Sequence, residues 1–197
     1  MNKADEAPLV AGRQVGETLD KIDPLHVKRY FMASSFMPTS GTILDLGCGC
    51  GYGSYLLANE HPLRNVTGID YSEEAVEYAR EHYSLCNNSF AVMDLQLDTD
   101  NKYLADGIIA TEVLEHIPDW AAFMNNVIKW LVPGGVLFVA VPFRDDTAGR
   151  NQYHVKDWPF DELAEVLISS GLTIEHSIGN FYYASKIMVA RKPGVQI

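Results

Sequence analysis

Short apolar runs alternate with amphipathic segments along most of this 197-residue chain. Runs with the length and composition of buried strands lie at 42–46, 65–70, 90–93, 107–110 and 136–141. Segments with helical periodicity lie at 24–36, 52–60, 121–131 and 161–170, and another opens after Ser72. The order predicts an α/β fold: a doubly wound, mostly parallel seven-stranded sheet with helices on both faces.

The two ends of the chain differ from this repeating pattern. Residues 1–20 are mainly polar and acidic, and they predict a flexible N-terminal arm, followed by a single domain over 21–197. Near the C-terminus, two strands at 172–178 and 184–190 are predicted to form an antiparallel pair around a turn at Gly179-Asn180. Pro133-Gly134-Gly135 is predicted to stop the helix at 121–131.

Composition narrows the range of partners and locations. The formal net charge of −11 disfavours broad binding to nucleic acid, since phosphates would meet a repulsive average field. No apolar run reaches the length of a membrane span, and three cysteines are too few for a disulfide framework. These features favour a reducing, cytoplasmic location.

A glycine-rich loop follows the first predicted strand. In LDLGCGCGYGS the glycines stand at alternate positions, so the backbone can turn sharply and approach a ligand closely. Asp45 at the strand end would repel a pyrophosphate but suits a cationic amino acid. Asp70 ends the second strand, where it can accept hydrogen bonds from ribose hydroxyls. A ribose, a positive charge and no phosphate describe S-adenosylmethionine rather than NAD.

Five blocks in order resemble the class I, Rossmann-like S-adenosylmethionine-dependent methyltransferases: LDLGCGCGYGS, VTGIDYSEEAVEYAR, AVMDL, DGIIATEVLEHIPD and LVPGGVLFVAVP. The resemblance implies that Asp45 orders the loop and faces the amino group of the cofactor, and that Asp70 binds its ribose. It implies further cofactor contacts at Gly47, Cys48, Gly49, Tyr71, Met93, Asp94, Leu95, Thr111 and Glu112. The product of the reaction would be S-adenosylhomocysteine.

A looser resemblance concerns the preamble HVKRYFMA. Together with GYGS, it is similar to a bacterial and phage subgroup associated with sugar or glycan modification. This makes Tyr30 a candidate wall of the cofactor site, and a plain core tyrosine is the alternative.

The candidate catalytic residues follow the fourth strand and the fifth. Glu112, Glu115 and His116 stand in EVLEH, and His154 lies further along. A histidine here can act as the base for an oxygen acceptor, and His116, His154 and Glu112 are the candidate catalytic residues. All four residues together resemble the divalent-metal site of small-RNA 3′-terminal 2′-O-methyltransferases, although the spacing departs from that family. We favour the metal-free alternative.

The predicted reaction is O-methylation of a small molecule or a glycan. Alternatives are metal-assisted RNA 2′-O-methylation, N-methylation, and a non-catalytic cofactor-binding subunit. A polar stretch at 144–150 is predicted to form a lid or a solvated loop, and Trp158 with Tyr182-Tyr183 to line the acceptor pocket or the core. The acceptor itself carries no readable motif.

Overall fold

Seven strands and five helices form the domain. The strands are β1 (Ser40–Leu46), β2 (Leu63–Asp70), β3 (Asn88–Val92), β4 (Ala105–Thr111), β5 (Leu131–Pro142), β6 (Thr173–Asn180) and β7 (Ser185–Arg191). The helices are α1 (Pro24–Phe36), α2 (Tyr52–Glu60), α3 (Glu73–His82), α4 (Trp120–Trp130) and α5 (Phe160–Ser169). This computed structural model describes residues 14–97, 103–143, 154–180 and 185–194.

All seven strands belong to one sheet in the order β3-β2-β1-β4-β5-β7-β6. The first five strands pair in parallel, and β7 lies antiparallel between β5 and β6. The winding direction reverses between β1 and β4, which is where open α/β sheets bind their ligands. The predicted fold class is confirmed, including the antiparallel C-terminal pair.

Two hydrophobic cores lie on opposite faces of the sheet. One packs α4 and α5 against the sheet, and the other packs α1, α2 and α3 against it. Strand β1 contributes side chains to both cores because alternate side chains along a strand point to opposite faces of the sheet. Leu44 and Leu46 belong to the first core, whereas Ile43 belongs to the second. Asp45 therefore points towards the α1–α2 layer.

The predicted turn at Gly179-Asn180 and the predicted helix stop at Pro133-Gly134-Gly135 both lie within strands. Gly179 and Asn180 lie inside β6, so the turn prediction was wrong; a Cβ at Gly179 would lie 2.9 Å from the Phe160 ring, which explains a glycine within this strand. The helix before Pro133-Gly134-Gly135 ends earlier, at Trp130, and β5 begins directly afterwards. The register shift opposite residues 105–107 shows that the glycines belong to an irregularity in β5 rather than to a helix stop.

Part of the predicted N-terminal arm is held against the domain. The Tyr83 hydroxyl donates a hydrogen bond to the carbonyl of Gly16, and Leu19 packs on the α1–α3 core. Residues 14–20 are therefore not a loose arm, because the domain offers them both a polar and an apolar contact. Residues 1–13 lie outside the described part of the chain.

Among the described residues, none of the helices combines the length and the apolar character that crossing a bilayer requires.

The position of α1 depends on a buried arginine from β2. The Arg64 side chain is fully buried, and its guanidinium donates to the carbonyls of Ser34, Met37, Pro38 and Leu57 and to the Ser34 hydroxyl, over distances of 2.7–3.3 Å. These acceptors include the free carbonyls at the end of α1, which would otherwise be buried without partners. Arg64 thereby fixes the helix that carries Arg29 and Tyr30.

We expect Arg64→Met to lower the free energy of unfolding by about 3 kcal/mol, because several buried carbonyls lose their donors at once. Arg80→Met is the matched control, since the Arg80 side chain is exposed and, among the described residues, donates one hydrogen bond, to the carbonyl of Phe90. Its cost should stay below about 1 kcal/mol. Urea denaturation measures both, and equal losses in the two variants would contradict the role of Arg64.

Candidate active site

The glycine loop after β1 is built on left-handed backbone. Gly47, Gly49 and Gly51 have φ values of 68°, 53° and 89°, a region that residues with a Cβ rarely adopt. A Cβ at Gly47 would also lie 2.4 Å from a methyl group of Val113. The amides of Gly47 and Cys48 both donate to the carbonyl of Ile69, at 2.7 and 3.0 Å, which joins the loop to the end of β2. The loop is thus fixed before any ligand arrives.

Asp70 ties this loop to the start of α3. Its Oδ2 accepts from the Gly49 amide and its Oδ1 from the Ser72 amide, both at 2.9 Å. Each carboxylate oxygen has more than one acceptor position, so these bonds leave capacity for a ligand hydroxyl. A pair of oxygens held in this way at the end of β2 fits the predicted ribose site.

Asp45 lies beneath the loop and is fully enclosed. Its Oδ1 accepts from the Tyr30 hydroxyl at 2.9 Å and its Oδ2 from the Ser54 hydroxyl at 2.6 Å. Burial raises the pKa of the Asp45 carboxyl to about 7, although these two hydrogen bonds act in the opposite direction. The carboxyl therefore links β1, α1 and α2, and its contact with the amino group of a cofactor stays a prediction.

Tyr30 provides the α1 side of this linkage through its hydrogen bond to Asp45. It is 3% exposed and belongs to the core on the α1–α3 face. Gly53 lies directly below it, where a Cβ would be 2.1 Å from the Tyr30 ring. The described contacts of Tyr30 are those of a core tyrosine bonded to Asp45, and a wall of the cofactor site remains a prediction.

The other predicted cofactor residues lie along the same edge of the sheet. Tyr71 is 70% exposed directly after β2, as a residue that covers a flat ring would be. Asp94 follows β3 and accepts from the backbone and side-chain amides of Gln96. The remaining members are half-buried or buried: Met93, Leu95 and, at the end of β4, Thr111.

Glu112 adopts a strained backbone and forms a partly buried ion pair. Its φ is 55°, and its Oε1 lies 2.9 Å from Nη1 of Arg29 and 3.1 Å from the Ser185 hydroxyl, which donates to it. These contacts join α1, the end of β4 and the start of β7. Among described non-glycine residues Glu112 alone has positive φ, and such strain is typical of functional sites.

Three of the four residues in the predicted alternative metal site come together, and Glu112 is not among them. One ligating atom from each of Glu115, His116 and His154 lies within 4.8 Å of the others. The imidazole rings are 4.9 Å apart and nearly perpendicular. The backbone brings His154 here, because the amides of Val155 and Lys156 donate to the carbonyl of Glu115 at 2.8 and 3.3 Å.

Glu115 is the unusual member of this histidine cluster (Glu115, His116 and His154). Its side chain is 2% exposed, and neither carboxyl oxygen has a hydrogen-bond partner among the described residues. Its Oε1 lies 3.9 Å from Nε2 of His116. Burial, followed by the negative charge of Glu112, raises the pKa of Glu115 well above its ordinary range. The carboxyl group therefore favours its protonated form unless a cation or a donor approaches.

Sequence reasoning did not identify Arg29, Ser54 and Ser185 as members of the site. A signal for Arg29 existed, because it occupies the apolar face of α1, where a buried guanidinium requires a carboxylate partner. Ser185 had no signal, since its position depends on β7 lying beside β5. The predicted lid at 144–150 and Tyr182-Tyr183 lie outside the described residues, whereas Trp158 is 2% exposed beside the histidine cluster.

Comparison with known proteins agrees with this arrangement. A family model described as a methyltransferase domain matches residues 25–182. A probable S-adenosylmethionine-dependent methyltransferase of Mycolicibacterium smegmatis is 32% identical over 148 residues, covering 72% of this chain and 56% of the relative. A ubiquinone biosynthesis O-methyltransferase of Coxiella burnetii is 32% identical over 124 residues, covering 60% of this chain and 52% of the relative. The chain thus spans about half the length of these curated relatives.

Solved structures agree at the level of the fold. The N-methyltransferase NodS from Bradyrhizobium japonicum, in complex with S-adenosylhomocysteine, superposes with a TM-score of 0.67 at 24% sequence identity. The match covers 87% of this chain and 89% of NodS.

The buried Asp45 carboxyl should make stability depend on pH. Its pKa is about 7 in the folded protein and about 3.9 in an unfolded chain, so the folded state binds the proton more tightly between these values. The stabilisation by the protonated carboxyl is complete below about pH 4 and is lost as the pH rises to about 7. The free energy of unfolding should fall, relative to Asp45→Asn, by up to about 1.4 kcal/mol per pH unit over this range.

Urea denaturation of both proteins from pH 4 to 8 measures this difference. Ser54→Ala should extend the decline to higher pH, because the hydrogen bond from Ser54 lowers the pKa of Asp45. A difference between wild type and Asp45→Asn that stays constant with pH would refute the assignment.

Proposed function

Because this chain belongs to the class I S-adenosylmethionine-dependent methyltransferases, we propose that it transfers the methyl group to an oxygen atom of a small molecule or a glycan. The observation that supports an oxygen acceptor is the histidine cluster, which follows β4 at the carboxyl edge of the sheet. An oxygen acceptor has to lose a proton on methylation, and two imidazoles that meet beside a buried carboxyl provide a place for it. The similarity to a ubiquinone biosynthesis O-methyltransferase supports the same reaction class.

The cofactor supplies an activated methyl group when it is bound. The residues that would hold it fit its chemistry: Asp70 offers two fixed carboxylate oxygens for ribose hydroxyls, and Asp94 and Tyr71, which follow β3 and β2, would contact the adenine. The glycine loop leaves no side chains between its backbone and a ligand at Gly47 and Gly49. Glu112, held by Arg29 and Ser185, follows β4 at the same edge of the sheet.

Proton removal is the second task of these residues. His116 is the more accessible of the two histidines, with 40% of its side chain exposed, so we assign it the first contact with the acceptor hydroxyl. His154 approaches the same point from the segment after β5. Glu115 lies behind them, with its Oε1 3.9 Å from Nε2 of His116, and an imidazolium formed at His116 would favour the ionised form of this carboxyl. The protein otherwise acts by aligning the acceptor and excluding water.

A divalent cation at the histidine cluster is the second candidate. Two imidazoles and one buried carboxyl without partners are suitable ligands for such an ion. However, ligands that bind one ion at about 2.1 Å lie at most about 4.2 Å apart. The Glu115–His116 separation of 3.9 Å satisfies this limit, whereas the spread of 4.8 Å across all three residues has to contract. Glu112, engaged by Arg29, does not complete a four-residue site, so the metal-free reaction remains our first choice.

Cofactor binding tests the family assignment at the level of a residue. We expect Asp70→Ala to weaken S-adenosylhomocysteine binding by about 1–3 kcal/mol, because charged hydrogen bonds to ribose are lost. Ser72→Ala is the matched control: it removes the cap that Ser72 provides to the Ala75 amide without touching a ribose acceptor. Isothermal titration calorimetry should show an unchanged affinity for Ser72→Ala, and unchanged affinity for Asp70→Ala would disprove the ribose site.

Chelation separates the two mechanisms. Tritiated S-adenosylmethionine is incubated with pooled phenols and saccharides, and label transfer is counted with and without EDTA. In the metal-free case EDTA has no effect, and His116→Ala lowers turnover by about 10²–10⁴-fold. The control His176→Ala alters an exposed histidine on β6 and should retain full activity.

Metal binding provides a readout independent of activity. Manganese titration, followed by electron paramagnetic resonance, should detect no tight site in the wild type. A tight site that is lost in both Glu115→Gln and His154→Ala, together with activity that EDTA abolishes and Mn²⁺ restores, would establish the metal-assisted alternative.

A further inference from the structure

A narrow crevice opens beside the histidine cluster. Glu115 and His154 form part of its wall, and Lys156, Asp157, Trp158 and Lys186 form much of the rest. It therefore begins where the acceptor hydroxyl would lose its proton. An acceptor placed at His116 and His154 extends another of its groups into this space.

Lys186 is the first unused donor in the crevice. It is half-buried at the start of β7, and its ammonium group donates to the carbonyl of Trp158 at 2.9 Å. An ammonium group has three N–H donors, so this bond leaves two. Within the described ranges no carboxylate forms an ion pair with it.

Trp158 provides a second donor. Its side chain is 2% exposed, and its indole Nε1 is buried without a hydrogen-bond partner among the residues that the structure describes. A buried indole N–H normally has an acceptor, so its absence here points to one that arrives with a ligand. The Lys186–Trp158 hydrogen bond keeps the two residues together.

Lys156 has a different role. Its ammonium group forms an ion pair with Glu162 and lies 3.9 Å from the centroid of the Trp158 ring. It therefore fixes the indole and is already compensated by a carboxylate. Glu115 and Asp157 are the carboxyls among the described residues of the lining. Since Lys156 is paired with Glu162, Lys186 is the ammonium group there that no ion pair within the described ranges compensates.

We propose, on the basis of the proposed O-methylation, that Lys186 and Trp158 bind an oxyanion of the methyl acceptor, so that the acceptor is a hydroxylated acid. The oxyanion is a carboxylate or a phosphate, since both accept hydrogen bonds from an ammonium group and an indole N–H. The hydroxyl group to be methylated lies at His116 and His154, and the acidic group lies in the crevice. Lys186 and Trp158 are specificity-determining residues in this arrangement.

Three phenols that differ in one group test the proposal by calorimetry in the presence of S-adenosylhomocysteine. The probes are 4-hydroxybenzoate, 4-hydroxyphenyl phosphate and the neutral 4-hydroxybenzamide. At least one anion should bind the wild type about tenfold or more tightly than the amide, the scale of a hydrogen bond to a charged group. The anion that binds more tightly identifies the oxyanion as carboxylate or phosphate.

Variants locate the effect. Lys186→Gln should weaken binding of the preferred anion by about tenfold or more and leave the affinity for the amide unchanged. Lys186→Arg should retain most of the affinity for the anion. Trp158→Phe should weaken binding of the anion by a smaller factor, because it removes the indole N–H and keeps an aromatic ring for Lys156 to contact. Lys21→Gln is the control, since it removes the same charge from an exposed position near the N-terminus.

Equal anion binding by wild type and Lys186→Gln would overturn the proposal, as would equal binding of the amide, or no binding of either anion to the wild type. The affinity for S-adenosylhomocysteine, measured in the same proteins, separates this failure from a failure of the proposed function. Wild-type protein that binds S-adenosylhomocysteine but prefers the amide would contradict the oxyanion site alone.

Discussion

Parallel pairing of β1 with both β2 and β4 is the constraint on which the site depends. It brings the carboxyl ends of three strands to one edge, so that the glycine loop, Asp70 and Glu112 follow neighbouring strands although they are far apart in sequence. The two sequence-distant loops are then joined by specific bonds, such as those from Gly47 and Cys48 to the carbonyl of Ile69. A ligand at this edge meets a surface whose backbone donors are already oriented.

The same edge concentrates polar groups that the fold buries at a cost. Asp45 offsets this cost with two hydroxyl donors, and Arg29 and Glu112 offset it by pairing with each other. Glu115 has neither hydroxyl donors nor a paired guanidinium, because both its oxygens lack hydrogen-bond partners in the described chain. Polar groups of the first kind rigidify the scaffold, whereas an uncompensated buried carboxyl is a typical feature of a site that exchanges protons or binds a cation.

The bounds of helices and strands could be predicted from the sequence better than the tertiary contacts between them. The bounds of α1 and α2 agree because Pro38 and Pro62 terminate helices through local sterics, and local sterics can be read from the chain. Gly179 misled the prediction because it accommodates the Phe160 ring rather than a turn, a tertiary requirement that no local pattern reveals. The separation of Glu112 from Glu115 likewise followed from the left-handed backbone at Glu112 and from the partner on α1, neither of which the EVLEH motif specifies.

These differences change what EVLEH contributes to the proposed mechanism. Its first glutamate turns towards Arg29 and Ser185, so it couples the cofactor edge to α1 and β7. Its second glutamate and its histidine lie beside His154, and the glutamate also lines the crevice. A motif of five residues thereby supplies both sides of the reaction: a compensated carboxylate where the cofactor is expected, and an uncompensated carboxyl with an imidazole where the acceptor is expected. Burial raises the pKa of both carboxyls. At Glu112 the charge of Arg29 and the hydrogen bonds from Arg29 and Ser185 oppose this rise, whereas at Glu115 the negative charge of Glu112 adds to it. This contrast matches a division between holding a cationic cofactor and handling a proton.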